Sequence, residues 1–402
     1  MKHANRIRGG TIAALALVFM ASLTAVRRAQ AQTESVIYSF CMQNLCSDGT
    51  NPASNLIMDS QGNMYGTAVN GGTEFWGTVF KLTPGGAQTV LYNFCVVGGD
   101  SCTDGSAPVS GLVMDSAGNL YGTTRQGGAH GPLYGTVFKL SPNGTLTTLH
   151  SFNSDGIDGV NPLAGLVMDS KGNLYGTTYL GGASNAGVVY RVTPKGKETI
   201  VHSFEGGLSD GSGPANMTLV KDSQGNLYGT TAYGGTHGGG TVFKISAQGG
   251  YSILYNFGAT KTDGINPEAG LTVDPKGNLY GTNISGGKYG IGTVFRVSPS
   301  GTENILHSFQ NNHIDGYNCY ASLIRDSQGN LYGVTYQGGA NGSGVLFKIS
   351  PKGVETVLHA FGSGSDGINP QGSLLLDSQG NLYGTTYFGG SGGNGAVFEV
   401  TP

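Results

Sequence analysis

Short apolar runs separated by glycine-rich turns recur along the chain with a period of 51 to 56 residues. In the third unit, runs at 166–168, 174–178, 188–192 and 199–204 predict four short strands. The runs are continuous rather than alternating, so we expect both faces of each sheet to be covered. A period near fifty with strand-like content favours a propeller over several unrelated domains.

Every unit carries Asp-Ser-x-Gly-Asn-Leu-Tyr-Gly or a close variant. Asp at the first position and Gly at the fourth predict a type I turn between the first and second strands. The fifth unit supports this, because Pro275 stands at the second position, where its fixed φ fits the turn. We interpret the anchoring residues as turn caps; they are Asp59, Asp115, Asp169, Asp222, Asp274, Asp326 and Asp377.

The seven units predict an all-β fold, a seven-bladed β-propeller with four-stranded blades. Residues 35–40 match the fourth strand of a unit, and the sequence stops at Pro402, where that strand would next begin. We therefore expect the N-terminal strand to close the last blade, which removes free sheet edges. The domain spans residues 32–402, with repeats starting near 33, 87, 146, 198, 250, 302 and 354.

Residues 1–31 resemble a secretory signal peptide, with an uncharged stretch at 11–26 and a small-residue cleavage pattern at 29–31. We expect an exported protein, secreted or periplasmic, monomeric and without a transmembrane segment after signal removal. Removal takes away five of 21 basic residues and none of the 24 acidic ones, leaving a formal charge of −8. Such an acidic chain is not expected to bind nucleic acid.

Four of the five cysteines form two close pairs in equivalent loops between repeats, Cys41 with Cys46 and Cys95 with Cys102. In an exported protein these predict two local disulfides. A site in which the four cysteines bind a metal is the alternative. Cys319 replaces the Pro of a repeated Asn-Pro, either as a small buried residue or as a reactive thiol.

A second set of aspartates begins the Asp-Gly loops that connect one unit to the first strand of the next. Propeller geometry places them on one face, which we expect to be near the channel. Asp-Gly and Asn-Pro are ordinary turn pairs, and the alternative is a carboxylate ring that holds Ca²⁺ or another divalent cation. These crossover aspartates are Asp48, Asp104, Asp158, Asp210, Asp263, Asp315 and Asp366.

The loops after the second strands share that face and differ between units. Their aromatic and polar side chains suit a polar, ring-shaped ligand such as a glycan. The alternative is that they cap the blade ends. The candidate ligand-binding residues are Phe75, Trp76, Arg125, His130, Tyr134, His237, Tyr289, Tyr336 and Tyr387.

The repeated unit, with Gly-Gly after the second strand and Gly-x-Val-Phe-Lys-Leu-Thr-Pro-x-Gly across the third, resembles the exported "GloVer" tandem repeats. That family is known for interchangeable C-terminal anchors, and the resemblance covers residues 33–402. It implies export and a surface or extracellular role, and no defined reaction. The unit is also loosely similar to propellers of the streptogramin lyase and gluconolactonase type, which implies divalent-metal chemistry at the channel mouth.

No Ser-His-Asp set, paired-carboxylate signal or phosphate-binding loop is legible in the sequence, so we assign no catalytic residue. The sequence favours a non-catalytic binding or scaffold protein whose ligand is a glycan or an extracellular partner protein. The alternative is a divalent-metal-assisted lyase or lactonase at the channel mouth.

Overall fold

The described residues form six four-stranded antiparallel sheets in chain order and a seventh that combines strands from both ends of the chain, and four small two-stranded sheets lie beside them. The computed structural model describes residues 33–214 and 218–401. The seven larger sheets are the blades of a seven-bladed β-propeller, which confirms the predicted architecture. The predicted signal peptide at residues 1–31 lies outside the described residues.

The strands of the first half of the chain are β1 (Thr33–Ser39), β2 (Ile57–Met58), β3 (Met64–Ala68), β4 (Thr78–Leu82), β5 (Gln88–Asn93), β6 (Val113–Met114), β7 (Leu120–Thr124), β8 (Thr136–Leu140), β9 (Leu146–Ser151), β10 (Gly159–Val160), β11 (Val167–Met168), β12 (Leu174–Thr178), β13 (Leu180–Gly181), β14 (Val188–Val192), β15 (Glu198–Ser203), β16 (Gly211–Ser212), β17 (Val220–Lys221), β18 (Leu227–Thr231) and β19 (Tyr233–Gly234).

Those of the second half are β20 (Thr241–Ile245), β21 (Tyr251–Asn256), β22 (Gly264–Ile265), β23 (Thr272–Val273), β24 (Leu279–Asn283), β25 (Ser285–Gly286), β26 (Thr293–Val297), β27 (Glu303–Ser308), β28 (Gly316–Tyr317), β29 (Ile324–Arg325), β30 (Leu331–Val334), β31 (Gln337–Gly338), β32 (Val345–Ile349), β33 (Glu355–Ala360), β34 (Gly367–Pro370), β35 (Leu375–Leu376), β36 (Leu382–Gly389) and β37 (Ala396–Thr401). Two single-turn 3₁₀ helices, Asn44–Cys46 and Gly99–Ser101, lie in loops.

Blades 1 to 6 are the sheets β2–β5, β6–β9, β11–β12–β14–β15, β17–β18–β20–β21, β23–β24–β26–β27 and β29–β30–β32–β33. Blade 7 combines β35, β36 and β37 with β1 from the other end of the chain. β1 pairs antiparallel with β37, from Thr33 opposite Thr401 to Ser39 opposite Ala396. This pairing confirms that the N-terminal strand closes the ring.

The fourth strand of every blade has a β-bulge at the same place. In blade 3 the pairing shifts between Val189 and Tyr190, so Val201 of β15 has no partner and His202 follows it. Equivalent shifts occur in the other six blades. Because a bulge bends its strand and re-aims the next side chain, it directs the Tyr or His of the fourth strand toward the crossover loop.

An aromatic pair joins each blade to the next. Phe152, which follows the fourth strand of blade 2, packs edge-on against Tyr190 in the third strand of blade 3, with ring centroids 5.0 Å apart. The other six junctions repeat this contact at 4.9 to 5.5 Å with Phe on both sides. All these rings are fully buried. The core therefore lies between the blades, as the continuous apolar runs predict.

The turn aspartates are bound within their own turns. Asp222 accepts hydrogen bonds from the backbone N–H groups of Gln224 and Asn226, from the Asn226 side chain and from the Tyr228 hydroxyl. Burial opposes ionisation, but these hydrogen bonds lower the pKa of Asp222 overall. The same set of contacts recurs in the other blades, for example at Asp59, in agreement with a turn-capping role.

The residue before the Pro of each crossover loop, or before Cys319 where that residue replaces the Pro, has a positive φ. Asn occupies this position in five loops, for instance Asn266 with a φ of +56°, while Ala107 has a φ of +51°. The Asn266 side chain also donates a hydrogen bond of 3.0 Å to the Ala232 carbonyl of the preceding blade. Asn tolerates this left-handed conformation better than Ala, so Ala107 lacks both advantages.

The predicted disulfides Cys41–Cys46 and Cys95–Cys102 are both formed. Cys319 is completely buried, and its Sγ lies 3.1 Å from the Val334 carbonyl oxygen. Burial raises the pKa of its thiol to about 12. Along the described part of the chain, no helix is long and apolar enough to span a bilayer.

Exchanging the residues at two equivalent crossover positions should change stability in opposite directions. We expect Asn266→Ala to destabilise the fold by about 2 kcal/mol, because it loses a hydrogen bond and leaves Ala in the left-handed region. Ala107→Asn should stabilise it by about 1 kcal/mol, because Asn adopts the left-handed region at lower cost than Ala. Urea unfolding midpoints of both variants measure this, and midpoints that move in the same direction would contradict it.

Cys319 should be the one free thiol and should react only after unfolding, because burial removes both access and thiolate character. Titration with a colourless disulfide reagent that releases a coloured thiol should find none in native buffer. In denaturant without reductant it should find one per chain. Rapid native reaction, or five thiols on unfolding, would contradict this.

Candidate functional site

Crossover segments from six blades meet in one cavity of about 640 Å³ on the face that carries the variable loops. Its lining includes Ser54, Ser110, Gly165, Thr218, Ser322 and Ser373, each of which lies shortly before a first strand. The first strands therefore surround the axis, and the fourth strands are outermost. We call this space the channel-mouth cavity.

Hydrogen bonds between neighbouring crossover segments hold this wall in place. Ser322 donates its backbone N–H to the Ser373 hydroxyl at 2.8 Å, and Ser373 donates its own to the Asn55 side chain at 2.7 Å. Second-strand threonines add similar links, for example from Thr385 to the Ser54 carbonyl at 3.0 Å. The wall of the cavity is therefore held in place by the fold itself, which favours binding without rearrangement of the protein.

Aromatic side chains gather on one side of the cavity. Tyr320, Tyr336, Tyr387 and Phe388 all line it, together with the amide side chain of Gln371. Tyr320 and Tyr336 meet edge-on with centroids 5.8 Å apart, and Tyr387 meets Phe388 at 4.7 Å. The blade 6 and blade 7 side of the mouth therefore offers apolar ring faces beside hydroxyl and amide groups.

Arg125 brings an uncompensated positive charge to the cavity. It lines the space from the end of β7 in blade 2, and its side chain is exposed. Every ion pair within 4.0 Å among the described residues involves a His. The Arg125 guanidinium therefore has no carboxylate partner there and is available to an anion.

Glu268 is a half-buried carboxyl group close to the tyrosines of the mouth. Burial raises its pKa. Burial and the Glu268 charge together raise the pKa of Tyr320, and they contribute in the same direction at Tyr233. Glu268 thus places a second ionisable group near the aromatic side of the cavity.

The structure brings together three of the nine ligand-binding candidates: Arg125, Tyr336 and Tyr387 line the channel-mouth cavity. The remaining six lie on the loop tips outside it. Phe75, Trp76 and Tyr289 are 57%, 47% and 46% exposed, and His130 and His237 are exposed as well. Tyr134 packs against the core cluster between blades 2 and 3, as expected of a residue that caps a blade end.

Sequence reasoning missed Tyr320, Gln371 and Glu268, which share one position in the repeat. This position follows the Pro or Cys of the crossover loop, and in other units it holds small or apolar residues such as Ala53, Val109 and Leu163. Three large polar or aromatic residues in consecutive units were a detectable break in symmetry. The sequence therefore contains the signal, but the ligand-binding candidates come only from the loops after the second strands, and these three residues lie in the crossover loops.

Each crossover aspartate is buried, with an exposed fraction of 0% to 7%. Its Oδ2 accepts a hydrogen bond from the Tyr or His of the fourth strand, for example from His202 to Asp210 at 3.1 Å. A backbone N–H beyond that strand donates to the same oxygen, as Glu205 does at 2.9 Å. These contacts recur in all seven loops. None of the seven carboxylates lines the channel-mouth cavity.

One residue at the start of the next blade's fourth strand has the equivalent position in every repeat, and its side chain varies. In blade 4 it is Tyr251, which stacks on His202 at 3.7 Å and donates to Asp210 Oδ1 at 2.6 Å. In blade 1 it is Gln88, which donates to the Asp48 carbonyl at 3.0 Å. We call this the junction position; in chain order it holds Glu34, Gln88, Leu146, Glu198, Tyr251, Glu303 and Glu355.

The four junction glutamates occupy low-dielectric surroundings. Burial raises the pKa of Glu303 to about 7, and the Asp263 charge adds to this effect. Burial is also the largest cause at Glu34 and Glu198, whose pKa is about 7, and at Glu355, whose pKa is about 8. In each of the four, Oε1 is buried without a hydrogen-bond partner among the described residues.

Fold and repeat together define the class of protein: a tandem-repeat β-propeller with a polar cavity at its channel mouth. The family model of the Gloeobacter/Verrucomicrobia repeat matches residues 22–220 and again residues 208–398. The chain belongs to this repeat family, which confirms the resemblance drawn from its motifs. No curated protein matches it in sequence.

Solved structures with similar propellers are distant in sequence. A streptogramin B lyase is 13% identical, covers 92% of this chain and 97% of its own, and has a TM-score of 0.60. The extracellular domain of a one component system from B. thetaiotaomicron is 11% identical over 91% of this chain and 40% of its own, with a TM-score of 0.53. A gluconolactonase from Xanthomonas campestris is 12% identical over 92% and 89%, with a TM-score of 0.44. At such identities the likeness shows the fold alone.

Glu303 should make the propeller less stable as the pH rises. Its folded pKa of about 7 exceeds the usual value for Glu of about 4.3. Its contribution to the free energy of unfolding is therefore fully present below a pH of about 4.3. That contribution is lost as the pH rises through 7. We expect Glu303→Gln to flatten the fall in melting temperature between about pH 5 and 8.

The reverse substitution can be made at Gln88, which has the equivalent position in blade 1. Gln88 lies beside the Tyr38–Asp48 pair as Glu303 lies beside the Tyr255–Asp263 pair. Gln88→Glu should introduce a new pH-dependent loss over the same range. Melting curves of the wild type and both variants test this. Parallel curves for all three proteins would contradict the assignment.

Proposed function

We propose that this protein is an exported, non-catalytic propeller that binds an acidic glycan at the channel-mouth cavity. The observation that carries the proposal is the unpaired guanidinium of Arg125 in a cavity whose other side holds Tyr320, Tyr336 and Tyr387. The guanidinium can bind the carboxylate of an acidic sugar, and the tyrosine rings can pack against the C–H face of its ring.

The cavity suits this ligand class in size and in chemistry. A volume of about 640 Å³ falls within the range of about 300 to 1,000 Å³ usual for small-ligand sites. Aromatic faces cover the C–H groups of a sugar ring, while phenol and amide groups meet its hydroxyls. A guanidinium can bind a carboxylate through two parallel hydrogen bonds, which favours a uronic acid over a neutral sugar.

Two disulfides support export, because such bonds persist in oxidising compartments and are rare in the cytosol. The acidic charge of the chain disfavours nucleic-acid ligands. An extracellular partner protein at the exposed loop tips remains a prediction from the sequence, as does a monomeric state.

A lyase or lactonase function also remains a prediction. The groups of His, Asp and Glu that lie close enough to share a cation are at blade junctions, while the described lining of the channel-mouth cavity contains no Asp, Glu, His or Cys. The likeness to streptogramin B lyase is one of fold. We therefore place binding ahead of catalysis at this site.

Calorimetric titration of the wild type with tri-galacturonate and with a neutral trisaccharide tests the proposal. We expect the acidic ligand to bind and the neutral one to bind much more weakly. Arg125→Gln should weaken binding of the acidic ligand by about 10- to 100-fold, the loss of a hydrogen bond between charged groups. Tyr387→Ala should weaken both ligands.

Lys288→Gln is the matched control, because it removes one positive charge from the same face. Lys288 lies over the exposed Tyr289 ring at 5.1 Å and does not line the cavity. Its affinity should equal that of the wild type. Equal losses of affinity in Arg125→Gln and Lys288→Gln would show that only the net charge of the face matters. Absence of any saccharide binding to the wild type would refute the proposal.

A further inference from the structure

We propose that three blade junctions each bind one divalent transition-metal ion, with Zn²⁺ as the best match. The ligands are the fourth-strand His of one blade, the crossover Asp after it and the junction Glu of the next blade. The three groups are His150, Asp158 and Glu198; His307, Asp315 and Glu355; and His359, Asp366 and Glu34.

The distances between the donor atoms suit one shared ion. His150 Nε2 lies 3.1 Å from Asp158 Oδ2 and 3.7 Å from Glu198 Oε1. In the second group the His307 distances are 3.0 and 3.5 Å. In every group one donor atom per residue lies within 4.8 Å of the others. Ligands about 2.0 to 2.2 Å from a tetrahedral zinc ion are themselves about 3.3 to 3.6 Å apart.

Charge balance is the second reason for a cation. Each group sets two carboxylates against a single imidazole, and the imidazole already lies against the Asp. The Asp is satisfied further by backbone N–H groups, as at Asp158 by Asn153 and Gly159. The Glu has no such donor: the Oε1 atoms of Glu34, Glu198 and Glu355 are buried without a hydrogen-bond partner among the described residues. A buried carboxylate oxygen without a hydrogen-bond donor is costly, and a metal ion would supply positive charge to both carboxylates.

The donor set determines the kind of ion. An imidazole nitrogen with carboxylate oxygens suits zinc and its neighbours among the transition metals. Ca²⁺ and Mg²⁺ prefer all-oxygen sites with more ligands. These junctions thus bring crossover aspartates Asp158, Asp315 and Asp366 into metal sites, with a chemistry different from a calcium-binding carboxylate ring.

The site at blades 6 and 7 has an open approach. A crevice of about 550 Å³ is lined by Glu34 and Asp366 together with Tyr38, Ser363 and Ser391. Glu34 belongs to β1, the strand that closes the ring, whereas His359 belongs to β33 of blade 6. An ion here would join the N-terminal strand to the neighbouring blade and would reinforce closure of the propeller.

Four junctions remain: two of them lack both the His and the Glu, and the other two lack a single ligand type and serve as internal controls. His202 and Asp210 meet Tyr251 in place of a Glu. Asp263 and its neighbour Glu303 meet Tyr255 in place of a His. Variation at a single residue therefore decides whether a complete donor set forms.

Metal content and zinc titration of the purified, untagged protein test the proposal. After zinc loading and dialysis, we expect about three equivalents of zinc, with no stoichiometric calcium or magnesium. Glu198→Gln should lower the content by one equivalent or weaken that site more than about 10-fold, a loss that even outer-shell changes can cause. Zinc should raise the melting temperature of the wild type, since it binds the folded state.

Two further variants separate the metal sites from general effects of charge. Glu303→Gln changes the same residue type at the same position beside Tyr255, and it should leave the zinc content unchanged. Tyr255→His should complete a fourth donor set with Asp263 and Glu303 and add one equivalent. Circular dichroism checks that each variant is folded.

The outcomes that would overturn the proposal are distinct. One is absence of stoichiometric zinc in the folded wild type, which would leave a proton on each Glu as the balancing charge. Another is an equal loss of zinc in Glu198→Gln and Glu303→Gln, which would point to adventitious binding. Neither result bears on the saccharide titrations at the channel-mouth cavity.

Discussion

The fold depends on how each blade holds the next one. A four-stranded blade cannot bury its own faces, so the Phe after each fourth strand inserts against an aromatic ring of the following blade. Burial of a large apolar side chain contributes about 1.5 to 3 kcal/mol, and the edge-on arrangement adds about 0.5 to 1.5 kcal/mol. Since this contact links neighbours only, the series is complete when β1 joins blade 7 and the seventh junction forms.

The polar contacts of the junction act with the aromatic pair. The bulge in the fourth strand turns a Tyr or His toward the crossover Asp, and backbone N–H groups at the end of the strand bind the same carboxylate. A buried acceptor of this kind fixes the path of the crossover loop, because moving the loop would leave a charge unsatisfied. With the loop fixed, the residue after its Pro or Cys is free to vary. The channel-mouth cavity acquires its chemistry from this freedom, at Tyr320 and Gln371.

Much of the architecture follows from the sequence because it is encoded locally. The turn at Asp222 is closed by residues two to six positions away, and the period and strand content give the blades. The disulfides join cysteines five and seven residues apart. These features need no knowledge of how the strands tilt, so a linear motif is sufficient to predict them.

The candidate sites are not encoded locally, because they depend on residues of different blades that the arrangement of the strands brings together. Arg125 and Tyr387 share a cavity although four blades lie between them along the chain. His150 and Glu198 face each other because the outer strand of blade 3 begins beside the outer strand of blade 2. No spacing rule in the sequence specifies either meeting. The sequence shows only that these residues differ from those at the equivalent positions of other repeats.

The junction position shows how one structural problem receives several solutions in a single chain. Tyr251 donates a hydrogen bond to Asp210 Oδ1, which also accepts the Gly211 N–H, and Gln88 donates one to the Asp48 carbonyl. Both side chains are neutral, so they add no charge beside the buried carboxylate. Glu at this position does the opposite, since it adds a carboxylate next to one already buried. Such an arrangement is stable only with a positive partner, a proton or a cation. The junctions with a Glu therefore hold the ring together while they carry a carboxyl group whose pKa is raised by burial.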